Sequence, residues 1–101
     1  MPLSRYILSP EADQDLEEIF DYTRTQFGID QAVDYLNELD TTLQHLVAYP
    51  EVGLERPEIR SGLRSLAKTS HVIFYRIMTD HIRVVRVLHG RMDIPKFLDL
   101  D

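Results

Sequence analysis

The sequence predicts a two-layer α+β domain in the element order β-α-α-β-β-β, with a helical hairpin packed on one face of a mostly antiparallel sheet. Two successive segments repeat apolar residues at three- and four-residue spacing, which is typical of amphipathic helices. The stretch from His71 to Asp93 is instead dense in β-branched and aromatic residues around a polar tip, which predicts a β-hairpin. Since the chain has 101 residues and no internal repeat, we expect residues 1–101 to form a single domain.

The first strand leads directly into the first helix. Arg5–Ser9 (RYILS) is short and β-prone, so we assign it as a strand. Ser9, Pro10 and Glu11 then supply a capping serine, a proline at the first helical position and an acid in the first turn. This helix is predicted to end at Gly28. Its apolar stripe consists of Ala12, Leu16, Ile19, Phe20, Thr23 and Phe27.

The second helix is predicted to begin near Asp30 and to end before Pro50. Because so few residues separate the two helices, they must form an antiparallel hairpin. We expect the apolar stripes of both helices to be core. The stripe of the second helix consists of Ala32, Leu36, Leu39, Leu43 and Leu46.

The remaining segments are assigned from their turn residues and β-prone runs. Tyr49–Gly62 combines prolines, glycines and mixed charges, which predicts a surface loop. Leu63–Thr69 is predicted to be a strand that leads into the hairpin, whose tip is Thr79-Asp80-His81. We expect Arg91–Pro95 to end the sheet and Lys96–Leu100 to add a short helical turn.

Both strands of the hairpin carry apolar side chains on both faces. They are Val72, Ile73, Phe74, Tyr75 and Ile77 in one strand, and Ile82, Val84, Val85, Val87 and Leu88 in the other. Strands of this kind lie centrally in a sheet that is covered on both faces. A chain this short has few residues to spare beyond the helical hairpin, so we expect another molecule to cover the second face.

The register of the hairpin has two alternatives. A two-residue loop at Thr79-Asp80 places Arg76 opposite Arg83, whereas a three-residue loop brings Phe74 opposite Arg86. Facing like charges cost only about 0.2–1 kcal/mol, which is too little to choose between the registers. In both of them Arg86 lies mid-strand among large apolar residues and needs either a partner or a route to solvent.

Composition excludes several classes of protein. There are no cysteines, which excludes a disulfide scaffold and a thiolate zinc site and fits a reducing cytoplasm. No apolar run approaches the roughly 20 residues needed to cross a bilayer, and no secretory signal is expected. The net charge of −6 is uneven: residues 1–55 carry 12 acidic and 2 basic side chains, and residues 56–101 carry 5 acidic and 9 basic. The basic half suits an acidic partner, and we expect no sequence-specific nucleic-acid binding.

Two kinds of chemical site can be weighed from the sequence. The four histidines lack the spacing of a zinc site, so we expect no metal and no cofactor. Metal-free cleavage of RNA needs a base, an acid and a cation near the phosphate. Such a ribonuclease would draw on Arg64, Arg83, His89 and Arg91, with Tyr75 as a further candidate.

A docking surface on the sheet accounts for more of these residues. An acidic or amphipathic peptide would lie along the strands, with its apolar side chains against the aromatic residues and its carboxylates paired with arginines. The predicted contact residues are Arg64, Phe74, Tyr75, Arg76, Arg83, Arg86, His89 and Arg91.

The chain resembles the ParE toxin family of the RelE/ParE superfamily over nearly its whole length. The resemblance lies in YILSPEADQDLEEIFDYT at the start and YPEVGLERPEI before the sheet, followed by GLRSL, HVIFYR and IRVVRVLHGRMDI. It implies a RelE/ParE-like fold and a bacterial, cytoplasmic toxin of a type II toxin–antitoxin pair. It also implies a ParD-like antitoxin that joins the toxin in a hetero-oligomer, and DNA gyrase as a target inhibited by binding rather than by catalysis.

The superfamily leaves two alternatives to gyrase inhibition. RelE-like relatives are ribosome-dependent messenger RNA endonucleases, typically basic and with a functional residue, often tyrosine, near the C-terminus. This chain instead ends in KFLDLD and has a calculated pI of about 5.1, which counts against that branch. The other alternative is a non-toxic module that only binds an antitoxin.

Overall fold

The computed structural model describes residues 3–90, and it confirms the two-layer α+β architecture. Two helices pack on a five-stranded sheet of order β1-β5-β4-β3-β2. Every strand pair is antiparallel except β1–β5. The elements are β1 (Arg5–Leu8), α1 (Pro10–Phe27), α2 (Ile29–Ala48), β2 (Leu54–Glu55), β3 (Arg64–Lys68), β4 (His71–Ile77) and β5 (His81–His89). The predicted sheet end at Arg91–Pro95 and the predicted turn at Lys96–Leu100 lie outside the described residues.

The helical hairpin begins and turns where its sequence signals predict. The Ser9 side chain accepts a hydrogen bond from the Ala12 amide at 3.0 Å, and Pro10 opens α1. A single residue, Gly28, ends α1 and precedes α2. Its φ of +95° is a backbone conformation that residues with a Cβ rarely adopt, so glycine suits this tight reversal of the chain.

The main core lies between the helices and the sheet. It joins Leu39, Leu43 and Leu46 of α2 to inward-facing strand residues such as Ile73 and Val84. These side chains are at most 1% exposed. Burial of this stripe supplies the hydrophobic free energy that holds the two layers together. Phe27 of the α1 stripe, by contrast, is 62% exposed, so its predicted place in the core is wrong.

The outer face of the sheet, which is turned away from the helices, carries Phe74, Val85 and Leu88. These residues form a second cluster with Leu63, and Ile59 packs against it. Phe74 is 0% exposed. The expectation that another molecule must cover this face is therefore wrong for these residues, because they are already buried within the chain.

The hairpin uses both of the registers that the sequence left open. Near the tip, Arg76 lies opposite Arg83, and further along Phe74 lies opposite Arg86. A β-bulge between these pairs gives β5 one extra residue, Val85, so the register shifts by one. The two registers are not exclusive, because a bulge changes the offset partway along a strand.

Two side chains near the start of the chain form hydrogen bonds with backbone groups of β5 where β1 no longer pairs with it. β1 pairs only with residues 81–84 of β5. Beyond that point, the Ser9 hydroxyl donates to the Val85 carbonyl at 2.7 Å, and the Asp15 carboxylate accepts the Val87 amide at 3.0 Å. The edge amide of Val87 thus avoids the cost of being buried without a partner.

The loop before β3 contains the two-residue strand β2, which the sequence did not predict, and is fastened to the sheet at Gly53. The Gly53 amide donates to the Tyr75 hydroxyl at 2.9 Å, and that hydroxyl donates to the Pro50 carbonyl at 2.7 Å. A Cβ at position 53 would collide with the Tyr75 hydroxyl and lie 2.8 Å from the Ser65 carbonyl oxygen. This loop can therefore approach the sheet only if residue 53 has no side chain.

We expect Gly53→Ala to lower the free energy of unfolding by about 1–3 kcal/mol, because the added methyl overpacks this contact. Urea denaturation measures the change. Gly90→Ala is the matched control, since its Cβ would lie 3.7 Å from the nearest atom, the Ser70 carbonyl oxygen. Equal stability losses in the two variants would contradict the assignment.

Candidate docking surfaces

Two of the predicted arginines lie on the outer face of the sheet. Arg83 lies between Ile82 and Val84, which point into the core under the helices, so strand alternation directs Arg83 outward. Arg76 lies opposite it and donates to the Ser61 carbonyl at 3.0 Å. Arg83 forms no hydrogen bond or ion pair with any residue between 3 and 90, and both arginines are partly exposed.

Opposed guanidinium groups on neighbouring strands repel each other, at a cost of about 0.2–1 kcal/mol. A third positive charge is that of Arg56. Its guanidinium donates a hydrogen bond at 3.1 Å to the Ser65 hydroxyl on β3, the strand next to β4. We call Arg56, Arg76 and Arg83 the outer-face arginines. Arg56 is paired with Glu58 at 2.7 Å, whereas the opposed charges of Arg76 and Arg83 do not stabilise the fold. The opposed pair therefore suits the binding of carboxylates or other anions.

Arg64, by contrast, holds the loop before β3. Its guanidinium donates to the Gly53 carbonyl at 2.9 Å and to the Glu51 carbonyl at 3.3 Å. The side chain is only 18% exposed, and it lies 3.7 Å from a Glu55 carboxylate oxygen. These contacts give Arg64 a structural role in the chain by itself, and its predicted role in docking stays a prediction.

Three other predicted contact residues are buried, so the structure corrects their assignment to an accessible surface. Phe74 and Tyr75 are each 0% exposed. Arg86 is 9% exposed, and its Nε and Nη2 atoms donate to the two carboxylate oxygens of Asp15 at 2.8 Å each. A bidentate geometry of this kind stabilises the ion pair and uses the guanidinium inside the fold.

Asp15 is the ion-pair partner of Arg86, and the sequence analysis did not identify it. It lies three residues after Ala12 and four residues before Ile19, and therefore on the same stripe of α1. An acid at such a position is buried with the stripe and needs a cation or several donors. That spacing was the available signal.

His89 belongs to a cluster of three rings at the far end of the sheet. His71 and His89 are cross-strand partners with ring centroids 5.5 Å apart. The Tyr35 hydroxyl lies 2.6 Å from Nδ1 of His71. Burial raises the pKa of Tyr35. Burial also lowers the pKa of His71; the neighbouring His89 lowers it further, and the negative charge of Asp15 partly offsets the decrease.

The structure places the ribonuclease candidates Arg64 and Tyr75 opposite each other on β3 and β4, but it does not bring all the candidates to one place. Arg83 and His89 are six residues apart on β5, which separates them by roughly 20 Å along the strand. Arg64 is engaged with the loop before β3, and Arg91 lies outside the described residues. The described candidates therefore do not form one catalytic constellation.

The part of the chain that the structure describes contains neither a cluster of three or more metal ligands nor a membrane-spanning helix. Within residues 3–90, no group of three histidine, cysteine, aspartate or glutamate side chains is placed to hold a metal ion. Neither of the two helices in that range is long and apolar enough to cross a membrane.

The lowered pKa of His71 predicts a pH-dependent stability. Below pH 6.5, the ordinary pKa of histidine, the unfolded chain takes up a proton that the folded chain resists. The free energy of unfolding should therefore fall as the pH drops from 7 through 6.5 toward the folded pKa. We expect His71→Asn to reduce this pH dependence, as measured by urea denaturation at a series of pH values.

Tyr35→Phe is the matched control for this experiment. It removes the hydroxyl near Nδ1 but keeps the His71 ring, whose burial is the main cause of the lowered pKa. That variant should keep most of the parent's pH dependence, since burial is the larger cause, and lose only the part that a hydroxyl donating to the neutral Nδ1 contributes. An undiminished pH dependence in His71→Asn would contradict the prediction.

Comparison with known proteins finds one family and related folds. A family model described as "ParE toxin of type II toxin-antitoxin system, parDE" matches residues 6–94. Toxin ParE1 of Mycobacterium tuberculosis (strain H37Rv) is 48% identical over 96 residues, covering 94% of this chain and 98% of the relative. Toxin ParE1 of Caulobacter vibrioides is 38% identical over 88 residues, covering 87% and 91%.

A solved structure titled "Chromosomal ParDE TA system from P. aeruginosa" has a similar fold. It matches with a TM-score of 0.75 at 20% sequence identity, and the match covers 87% of this chain and 96% of that chain. This identity supports a shared fold and no more.

Proposed function

Since this chain belongs to the ParE toxin family of type II toxin–antitoxin systems, we propose that it inhibits DNA gyrase by binding it and that a cognate antitoxin neutralises it. Gyrase is the target that family membership implies. A binding mechanism is favoured over catalysis because the ribonuclease candidates Arg83 and His89 lie at opposite ends of β5. The toxin would act in the cytoplasm, where gyrase works on DNA.

The antitoxin site that we propose is the outer face around Arg76 and Arg83. The observation that carries it is the pair of opposed, partly exposed guanidinium groups, one of which has no partner among residues 3–90. Carboxylates of an antitoxin segment would relieve the repulsion and pair with both groups. Interfaces of this kind depend on a few such anchors rather than on contact area alone.

A supercoiling assay tests the gyrase proposal directly. Antitoxin-free protein is titrated into purified gyrase and relaxed plasmid, and we expect loss of supercoiling that returns when the antitoxin is added. Relaxation of the supercoiled form of the same plasmid by a type I topoisomerase is the control for nonspecific effects on DNA. Full gyrase activity at a stoichiometric excess of toxin would refute the proposed target.

A translating extract tests the proposal that the protein is not a nuclease. We expect the messenger RNA to stay intact when antitoxin-free protein is added. Cleavage at defined codons would contradict the binding mechanism and support the RelE-like alternative. Normal growth on strong expression without antitoxin would instead support the non-toxic binding module.

The antitoxin site is tested by removing the two opposed charges. We expect the double variant Arg76→Gln and Arg83→Gln to bind the antitoxin about thirtyfold to a thousandfold more weakly, since each of the two lost charged hydrogen bonds costs about 1–2 kcal/mol. The matched control is Arg5→Gln with Arg24→Gln, which removes two exposed arginines elsewhere. Unchanged affinity in the first variant, or an equal loss in the control, would refute this site.

A further inference from the structure

Two histidines from different strands lie side by side in a groove between the helical hairpin and the sheet. His71 begins β4 and His89 ends β5, and the two residues are direct cross-strand partners. Both side chains are partly exposed and line the groove, whose volume is about 700 Å³. Solvent and small ions can therefore reach both imidazole rings.

The separation of the two rings is close to that of two imidazoles on one metal ion. Their centroids are 5.5 Å apart, and the ring planes are nearly perpendicular, at 81°. On a tetrahedral Zn²⁺ ion with Zn–N bonds of about 2.0–2.1 Å, two coordinating imidazoles have centroids roughly 5 Å apart. Because the paired backbones of β4 and β5 fix this spacing, the two rings need little rearrangement to share an ion.

Tyr35 is placed to make the second hydrogen bond of a metal-bound histidine. Its hydroxyl oxygen lies 2.6 Å from Nδ1 of His71 and 3.4 Å from the Lys68 carbonyl oxygen. When a metal takes Nε2 of His71, the neutral ring carries its proton on Nδ1. That N–H donates to the Tyr35 oxygen, and the hydroxyl proton is directed to Lys68. Histidine ligands almost always make such a bond, which fixes the orientation of the ring and raises its basicity.

The charge around the two rings favours a cation. Glu18, Asp34 and Glu38 line the same groove, and no arginine or lysine of the described residues is among its lining side chains. Burial lowers the pKa of His71, so its ring is neutral at pH 7, as a metal ligand must be. A metal needs only one nitrogen of His89, so the other can keep its present interaction.

From this geometry we propose that His71 and His89 form a site for a divalent transition-metal ion of the zinc class, with Tyr35 positioning His71. Water completes the coordination, since within residues 3–90 no third histidine, cysteine or carboxylate is placed to join the two rings. The spacing of the histidines along the chain predicted no metal site; strand pairing instead brings together two histidines that are remote in sequence. The bound ion joins the start of β4 to the end of β5 and stabilises the folded state.

Calorimetric titration with zinc chloride tests the site on the full chain, without a histidine tag and in a buffer that does not bind metals. We expect a single Zn²⁺ to bind each chain and to raise the urea concentration at the midpoint of unfolding. Magnesium chloride is the comparison for simple attraction to the acidic lining, because Mg²⁺ prefers oxygen ligands. Equally tight binding of Mg²⁺ would overturn the proposal.

Two single variants, His71→Asn and His89→Asn, each remove one ligand. Each should bind Zn²⁺ more than about tenfold more weakly, because even the loss of a ligand's hydrogen-bond partner costs about 10- to 100-fold in affinity. The matched control is His45→Asn with His81→Asn, which removes two histidines outside the groove lining and should bind like the parent. Affinity that survives in both single variants, or falls equally in the control, would overturn the site whatever the outcome of the gyrase assay.

Tyr35→Phe tests the positioning role separately from the ligands. We expect this variant to bind Zn²⁺ about tenfold more weakly. Zinc should still shift the imidazole NMR signals of His71 and His89 in this variant, as in the parent, because both ligands remain. Unchanged affinity in Tyr35→Phe would overturn the positioning role, and zinc-induced shifts confined to His45 and His81 would overturn the site.

Discussion

Asp15→Asn is expected to lower the free energy of unfolding by about 3–5 kcal/mol, because it removes the carboxylate that forms a buried, bidentate ion pair with Arg86. The two side chains are only 7% and 10% exposed. The hydrogen bonds that Arg86 donates to Asp15 raise the pKa of Arg86. An arginine keeps its proton at neutral pH even without that carboxylate, so the guanidinium cannot escape the cost by losing a proton. The substitution also weakens the acceptor of the Val87 amide.

Urea denaturation measures the free energy of unfolding of Asp15→Asn and of the control variant Asp21→Asn. Asp21 lies 3.8 Å from Arg24 on the same helix, and the two side chains are 70% and 51% exposed. Solvent screens such a pair, so its loss should cost less than about 1 kcal/mol. Similar, small losses in the two variants would show that the Asp15–Arg86 pair contributes little to stability.

The double variant Asp15→Leu with Arg86→Met tests whether breaking the ion pair, rather than a change in packing, causes the loss of stability in Asp15→Asn. Replacing both members of a buried pair by apolar residues is often nearly neutral, even where breaking the pair is costly. The double variant should therefore lose much less stability than the sum of the two single variants. Additive losses would indicate that packing, rather than charge, sets the cost.

Phe74→Ala is also expected to cost about 3–5 kcal/mol of unfolding free energy, because it opens a cavity in the second cluster. Phe74 is 0% exposed and packs with Leu63, Val85 and Leu88. Leu54→Ala is the control at a residue that is 71% exposed, and it should change stability by less than about 0.5 kcal/mol.

The outcome for Phe74 also decides between its two assigned roles. A contact residue on an open sheet would tolerate alanine in the free protein and would matter only when a partner binds. A core residue destabilises the free protein, as thermal and urea unfolding report. A stable Phe74→Ala variant with weakened antitoxin binding would restore the docking role that the sequence suggested.

Local signals in the sequence predicted the elements of this fold well. The Ser9-Pro10-Glu11 start and Gly28 located α1 because caps act within one turn of the chain. The apolar stripes and the dense β-branched run predicted the helix–helix–sheet order, since periodicity follows directly from helix and strand geometry. The strand β2 was missed because a two-residue strand has no periodicity of its own.

The sites were less predictable because each one depends on residues that are distant in the chain. The opposed pair Arg76 and Arg83 was one of two possible registers, and the bulge at Val85 that combines both registers carries no local signal. The pair of Asp15 and Arg86 joins α1 to β5, so neither segment by itself reveals it.

By itself, the sequence determined the class of fold, the position of the helical hairpin and the family, because these depend on local patterns and on the order of motifs. Only the tertiary structure decided which charges are available to a partner. Arg86 and Arg83 are three residues apart and alike in sequence, yet Arg86 meets Asp15 from across the fold, 71 positions earlier, while Arg83 remains on the outer face. The difference arises because burial and ion pairing are set by contacts between remote segments, which no local pattern encodes.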